Sequence, residues 1–300
     1  MPTVAIKSIA DANPLRAVLS MLLAVALFSL MDAGLKLLSP HYSPLQIAAL
    51  RGLSSLPWVL TWAATTVGLR SLLRARWSLH LLRGVIGVGM MVGFVIGLRT
   101  LPLSTAYSIS FVAPLLITAM SVPILHEQVG PRRWFAVVVG LIGVLVVLRP
   151  STDGLVSLGG LAVLLAAFAY AASAITVRVL ARTDSNQSMV VWLMVMVGVG
   201  AATLAAPHWQ TIRSHDWPVI LGIGIVGALA QIAITDAFRH GQASLIAPLE
   251  YTALAWGVGL DLLIWHVLPD AITWLGAAII VASGLYLLRR ERVHVEAEHP

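Results

Sequence analysis

The segment from Arg99 to Arg149 reads RTLPLSTAYSISFVAPLLITAMSVPILHEQVGPRRWFAVVVGLIGVLVVLR, and a divergent copy runs 140 residues later, from Arg239 to Arg289. The identical positions in this ungapped register include Arg99/Arg239, Ser104/Ser244, His126/His266, Trp134/Trp274, Leu145/Leu285, Leu148/Leu288 and Arg149/Arg289. Because charged, histidine and tryptophan positions share one register with apolar positions, the pattern favours an internal duplication, which decides the fold.

Composition places this chain in a membrane. Of its 300 residues, 59% are hydrophobic and 11% are charged, with a mean hydropathy of +0.91. Soluble domains contain about 25% charged residues, so a water-soluble domain is excluded. The chain has no cysteine, which excludes disulfides, thiolate chemistry and cysteine metal sites. The first apolar stretch continues past Leu38 without a small-residue cleavage site, so we predict a retained span and not a signal peptide.

Ten apolar segments have about the 20 residues that a membrane-spanning helix needs. The predicted spans are residues 17–38, 44–67, 80–98, 103–125, 132–149, 157–180, 188–206, 217–238, 244–266 and 271–289. Short connections with turn-forming residues separate them. Long apolar runs without alternation argue against a β-barrel, the other structure that crosses membranes. The sequence therefore predicts an all-α integral membrane protein with ten transmembrane helices.

The two halves of this membrane domain, residues 1–150 and 151–300, each contain five predicted spans. Because five is odd, the second repeat must insert upside down relative to the first, as in many secondary transporters. Span one (ALFSLMDAGLKLL) also matches span six (AFAYAASAITVRVL), with Lys36 and Arg178 about 142 residues apart. We therefore predict two inverted five-helix repeats.

The distribution of Lys and Arg predicts the orientation. With the N-terminus inside, 14 of the 19 cations fall in inner segments and 3 in outer ones. This bias predicts that both termini are cytoplasmic. It also accounts for the net charge of +6 without a nucleic-acid partner.

Ionisable side chains inside the spans are the strongest functional signal, because each costs about 2.5–3.5 kcal/mol there. Asp32, Lys36 and Arg51 fall in the outer half of the membrane, and Asp236 and Glu250 fall in the inner half. We interpret the two groups as gates, or as ends of a substrate cavity, that close alternately. The alternative is that they form structural ion pairs or extend to the membrane surface.

Three further charges have a plainer interpretation. Arg178 and Arg239 lie near span ends, so we expect them to reach the interface. Asp261 lies late in span nine, and we expect it to extend to the membrane surface or to face a water-filled path.

Aromatic and polar residues near mid-span could line a substrate cavity, although for any single one of them ordinary helix packing is the better explanation. These residues are Phe28, Met90, Phe94, Tyr107, Phe111, Tyr170, Gln231 and Tyr251. Enzymatic chemistry has little support. The nine histidines fall in connections, tails or span ends, and neither HExxH nor a Walker loop occurs. We predict no catalytic residue, no metal and no cofactor.

The chain resembles the drug/metabolite transporter superfamily, specifically the EamA-type ten-helix carriers. The resemblance covers nearly the whole chain and rests on residues 98–134, 140–150, 236–257 and 269–292, and on Arg51, which matches a recurrent position. The second repeat departs from the family pattern. His266-Val267 replaces the Gly-Glu that often follows the fourth helix, and Asp261 replaces a small or aliphatic residue.

The resemblance implies a multi-pass carrier of the bacterial inner membrane. Its cavity would lie between the repeats, among spans one to four and six to nine. It implies secondary transport by alternating access, first of all amino acid export, including aromatic and other apolar amino acids. Uptake of S-adenosylmethionine or another metabolite is the alternative, and a non-transporting membrane protein is less favoured because the loops are short. The expected partners are a small-molecule substrate, the lipid bilayer and a second copy in a homodimer.

An amino acid zwitterion needs a cation and an anion in one cavity. The candidates for its carboxylate are Arg51 and Lys36. The candidates for its ammonium are Asp32, Asp236 and Glu250.

Overall fold

The computed structural model of the chain describes residues 14–73, 75–125, 129–149, 157–180, 183–240 and 247–298. Within these ranges the chain is helical and contains no strand. The helices are α1 (Pro14–Leu38), α2 (Pro44–Thr66), α3 (Trp77–Thr100), α4 (Leu103–Ser110), α5 (Ala113–Leu125), α6 (Pro131–Leu148), α7 (Leu158–Leu180), α8 (Asn186–Ala205), α9 (Trp217–His240), α10 (Ala253–Leu260) and α11 (Ala271–Glu298). A 3-10 segment, Ala247–Thr252, precedes α10, and a π-helical turn, Asp261–Trp265, follows it.

Seven segments among the described residues are long and apolar enough to cross a membrane. They are Leu15–Leu38, Trp77–Thr100, Leu103–Ile124, Pro131–Leu148, Leu158–Val177, Asn186–His208 and Ser214–Ala237. Helix α11 adds a shorter apolar stretch, Ala271–Tyr286. Helix α2 is about 35 Å long at 1.5 Å per residue, but polar residues such as Gln46 and Arg51 lower its hydropathy. The predicted all-α membrane fold is confirmed.

The predicted fourth span, 103–125, is not one helix. Helix α4 ends at Ser110, and two turn residues separate it from α5. Pro114 lies at the start of α5. It has no N–H to donate, and its ring would clash with the carbonyl of Ser110 in a continuous helix. The interruption in this span therefore has a local cause.

The predicted ninth span, 244–266, is also divided, and its first three residues lie outside the described ranges. Its 3-10 segment gives way to α10 between Thr252 and Ala253. This point is 140 residues after the junction of Val112 and Ala113, where α5 begins. Both repeats therefore change helix geometry at the same position of their fourth span.

The second span of each repeat starts with the same signal. Ser43 caps α2 by accepting a hydrogen bond from the Gln46 backbone N–H at 3.2 Å. Ser185, 142 residues later, caps α8 in the same way, accepting from the Ser188 N–H at 3.1 Å. A serine at this position satisfies a backbone donor that has no partner within the helix. The connections that the two serines end are thus structurally equivalent.

The packing pattern of the helices is unchanged when the two halves of the chain are exchanged. Helix α1 packs along α9, and α3 packs along α7. Exchanging the repeats converts one of these pairs into the other. Helix α2 packs along α8, and α6 packs along α11; each of these pairs is converted into itself. The packing therefore has a pseudo-two-fold axis, as an inverted repeat requires.

Two glycines, Gly52 and Gly198, lie where α2 and α8 cross at close range. A Cβ added to Gly52 would lie 2.5 Å from the Cα of Gly198, and one added to Gly198 would lie 3.0 Å from the Leu53 nitrogen. Real Cβ atoms do not approach backbone atoms at the shorter of these distances. Small residues at such crossings are the usual means by which membrane helices come into contact.

We name the two ends of the bundle by where the first and last helices begin and end. The terminal end is where α1 begins and α11 ends, and the distal end is where α1 ends at Leu38. At the distal end, the Tyr42 hydroxyl donates to Asp216 Oδ2 at 2.6 Å and accepts from the Arg213 N–H at 3.0 Å. Arg99 donates to the carbonyls of Ser39 and Tyr42. The connection between α1 and α2 is thereby tied to α3 and to the start of α9.

At the terminal end, Asp184 occupies the position equivalent to Tyr42. Its Oδ2 accepts from the Arg76 N–H at 3.1 Å and lies 2.8 Å from His80 Nε2. Burial raises the pKa of the Asp184 carboxyl. Hydrogen bonds from Thr183, His80 and Arg76 outweigh burial and hold that pKa below its usual value. Asp184 is therefore ionised at neutral pH and ties α3 to the connection before α8.

We expect Gly52→Ala to lower the free energy of unfolding by about 1–3 kcal/mol, the usual cost of overpacking. The cost arises because the new Cβ would force α2 away from α8. Gly222→Ala in α9 is the matched control, since no atom lies within 4 Å of a Cβ built there. It should be neutral or should stabilise α9 by up to about 1 kcal/mol. Unfolding titrations in detergent compare the two; equal effects would contradict the close crossing.

Candidate functional site

Asp32 and Tyr107 join α1 to α4 within the membrane. The Tyr107 hydroxyl donates to Asp32 Oδ2 at 2.9 Å. Tyr107 is buried, and its ring packs against Gly257 of α10, where an added Cβ would lie 2.8 Å from the ring. Only glycine at position 257 leaves room for the Tyr107 ring. Three spans therefore fix the position of the Asp32 carboxylate.

Arg51 lies near Asp32, close enough for the two charges to interact electrostatically. Its Nε is 3.4 Å from the sulfur of Met31, a weak acceptor. Among the described residues, no oxygen accepts a hydrogen bond from this guanidinium. A guanidinium offers five N–H donors, so most of its donor capacity remains available to a ligand.

A small cavity lies beside Arg51, between α2, α8 and α9. It is lined by Arg51, Ser55, Val59, Val190, Met194, Gly227, Ala228 and Gln231. The cavity has room for about one water molecule. A metabolite could enter only if the helices around the cavity moved apart.

Lys36 does not join Asp32 and Arg51, although the sequence places all three in one half of the membrane. Its Nζ lies 3.0 Å from Asp261 Oδ1 and 4.2 Å from the centre of the Trp265 ring. The Lys36 side chain is 13% exposed and that of Asp261 is 0% exposed. This cation is therefore already paired with an anion and an aromatic ring.

The expectation that Asp261 extends to the surface or faces water is wrong. Its carboxylate is fully buried and accepts hydrogen bonds from the N–H groups of Leu103 (2.9 Å) and Ser104 (2.8 Å) and from the Ser104 hydroxyl (2.7 Å). Pro102, at the start of α4, provides no side-chain cap, so Asp261 satisfies these donors from across the bundle. The sequence did contain a signal for this pairing, because Lys36 needs an anion at the same depth in the membrane.

Asp236 lies at the terminal end and is also already paired. It forms a two-point contact with Arg16 (Nη2–Oδ1 2.6 Å and Nε–Oδ2 3.0 Å) and accepts from the Ser20 hydroxyl at 2.8 Å. The Arg16 side chain is 56% exposed and that of Asp236 is 24% exposed. The pair therefore fastens α1 to α9 near the membrane surface. The side chains of Arg178 and Arg239, which we expect to reach the interface, lie outside the described residues.

Glu250 is partly buried at the start of the ninth span and lies close enough to Tyr170 and Tyr251 to interact electrostatically with both. Tyr170 is 47% exposed. On a helical wheel it points away from the lipid-facing stripe of α7, which contains Leu165 and Phe168. Tyr170 is also within electrostatic range of Arg83 in α3, so it lies near both α3 and the ninth span.

Phe111 and Tyr251 pack edge to face, with ring centres 5.0 Å apart. The two residues are equivalent in the 140-residue register of the repeat. Equivalent residues of two related halves can touch only at the axis that relates them. The ring pair therefore lies on the pseudo-two-fold axis, midway between the repeats.

The other predicted cavity residues lie in several parts of the bundle. Phe28 and Phe94 are partly buried and pack against the main hydrophobic core, and Met90 is partly buried in α3. Gln231 lines the cavity beside Arg51. The sequence prediction did not include Arg83, which is buried and donates to the Met189 carbonyl at 2.7 Å. Its position early in α3 made it look like a residue of the membrane surface.

The EamA-like transporter family matches this chain twice, at residues 15–149 and 157–289. The riboflavin transporter of Vibrio cholerae is 33% identical over 75% of this chain and 76% of its own length. The S-adenosylmethionine uptake transporter of Rickettsia prowazekii is 27% identical, covering 93% and 94% of the two chains. The pseudopaline exporter CntI of Pseudomonas aeruginosa is 26% identical, covering 92% and 96%.

A solved crystal structure supports the same fold. It is 18% identical in sequence and superimposes with a TM-score of 0.64, covering 93% of this chain and 99% of the other. Both halves of the chain match one family, the fold agrees, and the related bacterial proteins are transporters. The chain is therefore a multi-pass membrane protein that belongs to the EamA-like transporter family of the drug/metabolite transporter superfamily.

Proposed function

We propose that this protein is a secondary transporter of metabolites that carry an α-amino acid group, and that it exports amino acids by alternating access. The observation that carries the proposal is Arg51. It is a charged guanidinium within the spans, with unfilled donors beside a cavity between the repeats. Arginine binds a carboxylate through two parallel hydrogen bonds. Asp32 lies within electrostatic range and supplies the opposite charge for an ammonium group.

The contacts of the other charges narrow the choice of binding groups. Lys36 pairs with Asp261, and Asp236 pairs with Arg16. Arg51 is therefore the group for the substrate carboxylate, and Asp32 and Glu250 are the groups for its ammonium. The aromatic pair Phe111–Tyr251 lies between the repeats and would pack against an apolar or aromatic substrate side chain.

Transport requires the cavity to open to each side in turn, since its present volume excludes a metabolite. The excess of Lys and Arg in segments at the terminal end supports a cytoplasmic location for both termini. The bacterial relatives support the inner membrane as its location. A homodimer remains a prediction from the family resemblance.

S-adenosylmethionine uptake is the second candidate. The related Rickettsia protein is named for this activity and matches nearly the full chain. S-adenosylmethionine carries an α-amino acid group and an additional sulfonium cation, so Arg51 and Asp32 would bind its amino acid end. Glu250 would then face the second cation.

Riboflavin, a third candidate substrate, differs from the other two in charge. The related Vibrio protein is named a riboflavin transporter. Riboflavin has no carboxylate, so its transport would not need Arg51. Its flat ring would depend on the aromatic residues at the centre.

Flux measurements in proteoliposomes decide among the three substrates. We expect saturable exchange of labelled amino acids and competition by unlabelled zwitterions but not by their methyl esters, which lack the carboxylate. S-adenosylmethionine and riboflavin are assayed in parallel, with and without a proton gradient. Riboflavin exchange without amino acid or S-adenosylmethionine exchange would overturn the proposal that the substrate carries an α-amino acid group.

We expect Arg51→Gln to reduce amino acid exchange by about 10- to 100-fold, since a hydrogen bond to a charged group contributes about 1.5–3 kcal/mol. Arg51→Lys should restore part of the flux, because lysine keeps the charge but not the two-point geometry. Arg213→Gln, at an exposed arginine in the connection before α9, is the control. Full exchange by Arg51→Gln at normal abundance would rule out Arg51 as the carboxylate site.

A further inference from the structure

Asp261 joins three spans at the distal end of the bundle. Its carboxylate pairs with Lys36 of α1 and accepts three hydrogen bonds from Leu103 and Ser104 at the start of α4. Asp261 itself belongs to the π-helical turn that ends the ninth span. At 0% exposure, this carboxylate has no water to replace its four donors if the spans separate slightly. The contact therefore holds the three spans together strongly.

Helices α1 and α4 are joined a second time, about one helical turn deeper in the membrane. Asp32 is four residues before Lys36 on α1, and Tyr107 is three residues after Ser104 on α4. Residues at these spacings share one helix face. Tyr107 donates to Asp32, so the contacts Lys36–Asp261–Ser104 and Tyr107–Asp32, together with one turn of α1 and one turn of α4, close a ring. We call Asp261, Lys36, Asp32, Tyr107 and Ser104 the distal ring.

No acid stands at the equivalent position of the other repeat. Residue 121, 140 positions before Asp261, is a serine, and its hydroxyl donates to the Thr118 carbonyl within its own helix. At the terminal end, Arg16–Asp236 joins α1 to α9, which already pack along each other, and the buried pair His80–Asp184 joins α3 to the connection before α8. Among the described residues, a buried acid that unites three spans through direct side-chain contacts is therefore found at the distal end and has no counterpart at the terminal end.

We propose that Asp261 is the positioning residue of the distal gate, and that the distal ring connects this gate to the substrate site. This inference rests on the proposed function, since Asp32 is the ring member that faces Arg51. With the site empty, the ring keeps the distal end closed. A substrate ammonium at Asp32 replaces the Tyr107 hydroxyl as donor, weakens the hold on α4 and favours opening of the distal end. Export would follow if the terminal end faces the cytoplasm.

Thiol labelling tests the gate without requiring a known substrate. The chain has no cysteine, so Ser108→Cys gives a single reporter with no background. Ser108 is fully buried, lies one turn beyond Ser104 on α4, and is close to cysteine in size. A charged, membrane-impermeant thiol reagent is added to intact cells and to inside-out vesicles. The side from which labelling occurs is thus determined together with its rate.

We expect Asp261→Asn to increase the labelling rate from the distal side by on the order of tenfold, because the substitution removes the charge that holds Lys36 and α4. Labelling from the terminal side should not increase. Asp270→Asn is the matched control. Asp270 pairs with Arg149 at the same end of the bundle, but between α6 and α11 and outside the distal ring. The control should leave the labelling rate unchanged.

The ring itself is tested by combining substitutions. Tyr107→Phe should also accelerate distal labelling, by less than Asp261→Asn does. In the double variant, the two effects should combine to less than their product, because both residues act through the same ring. Asp270→Asn combined with Tyr107→Phe should give a simple product. A simple product for Asp261→Asn with Tyr107→Phe would overturn the ring.

An unchanged distal labelling rate in Asp261→Asn would overturn the gate. Thermal melting in detergent separates this effect from a general loss of stability, which would accelerate labelling from both sides. If Asp261→Asn does not accumulate, Lys36→Met replaces it. That variant breaks the tie to α1 but leaves the three hydrogen bonds that Asp261 accepts from α4, so a smaller increase in distal labelling is expected. Labelling is independent of flux, so a failed substrate assay refutes the proposed substrate and leaves the gate result intact.

Discussion

A charged side chain in the hydrocarbon layer costs about 2.5–3.5 kcal/mol, and this cost governs the polar contacts of the spans. Lys36 and Asp261 neutralise each other, and Arg16 holds Asp236 at the membrane surface. Arg83 is satisfied by a backbone carbonyl. Arg51 differs, since among the described residues a sulfur is its nearest acceptor. This difference, an intramembrane guanidinium without an oxygen acceptor among the described residues, is the basis for proposing Arg51 as the place for a ligand.

Much of this organisation could be predicted from the sequence. The repeat register, the inverted halves and the depth of each charge follow from spacing and hydropathy. Depth alone does not identify partners, because it does not say which helices are neighbours. Lys36 was therefore grouped with Asp32 and Arg51, and Asp261 was expected to meet water. Their pairing depends on the contact between spans one and nine, which no local pattern in the sequence encodes.

The broken spans show a second limit. Hydropathy reports which residues prefer lipid but not which hydrogen-bond pattern the backbone adopts. In the fourth span, Pro114 is a local signal for the interruption. The equivalent position in the ninth span is Leu254, yet the helix geometry changes there too. No proline marks that position of the second repeat, so the sequence contains no comparable local signal for the change.

The position of Phe111 and Tyr251 on the axis has a consequence for the origin of the chain. In an assembly of two identical halves, a residue on the axis would meet a copy of itself, and an acid placed at one gate would occur at both. Fusion of the halves into one chain removed that requirement. Phe111 now meets a tyrosine, and Asp261 has Ser121 as its counterpart. The two mouths of the pathway can therefore differ in charge and in the energy needed to open them, which two identical halves could not achieve.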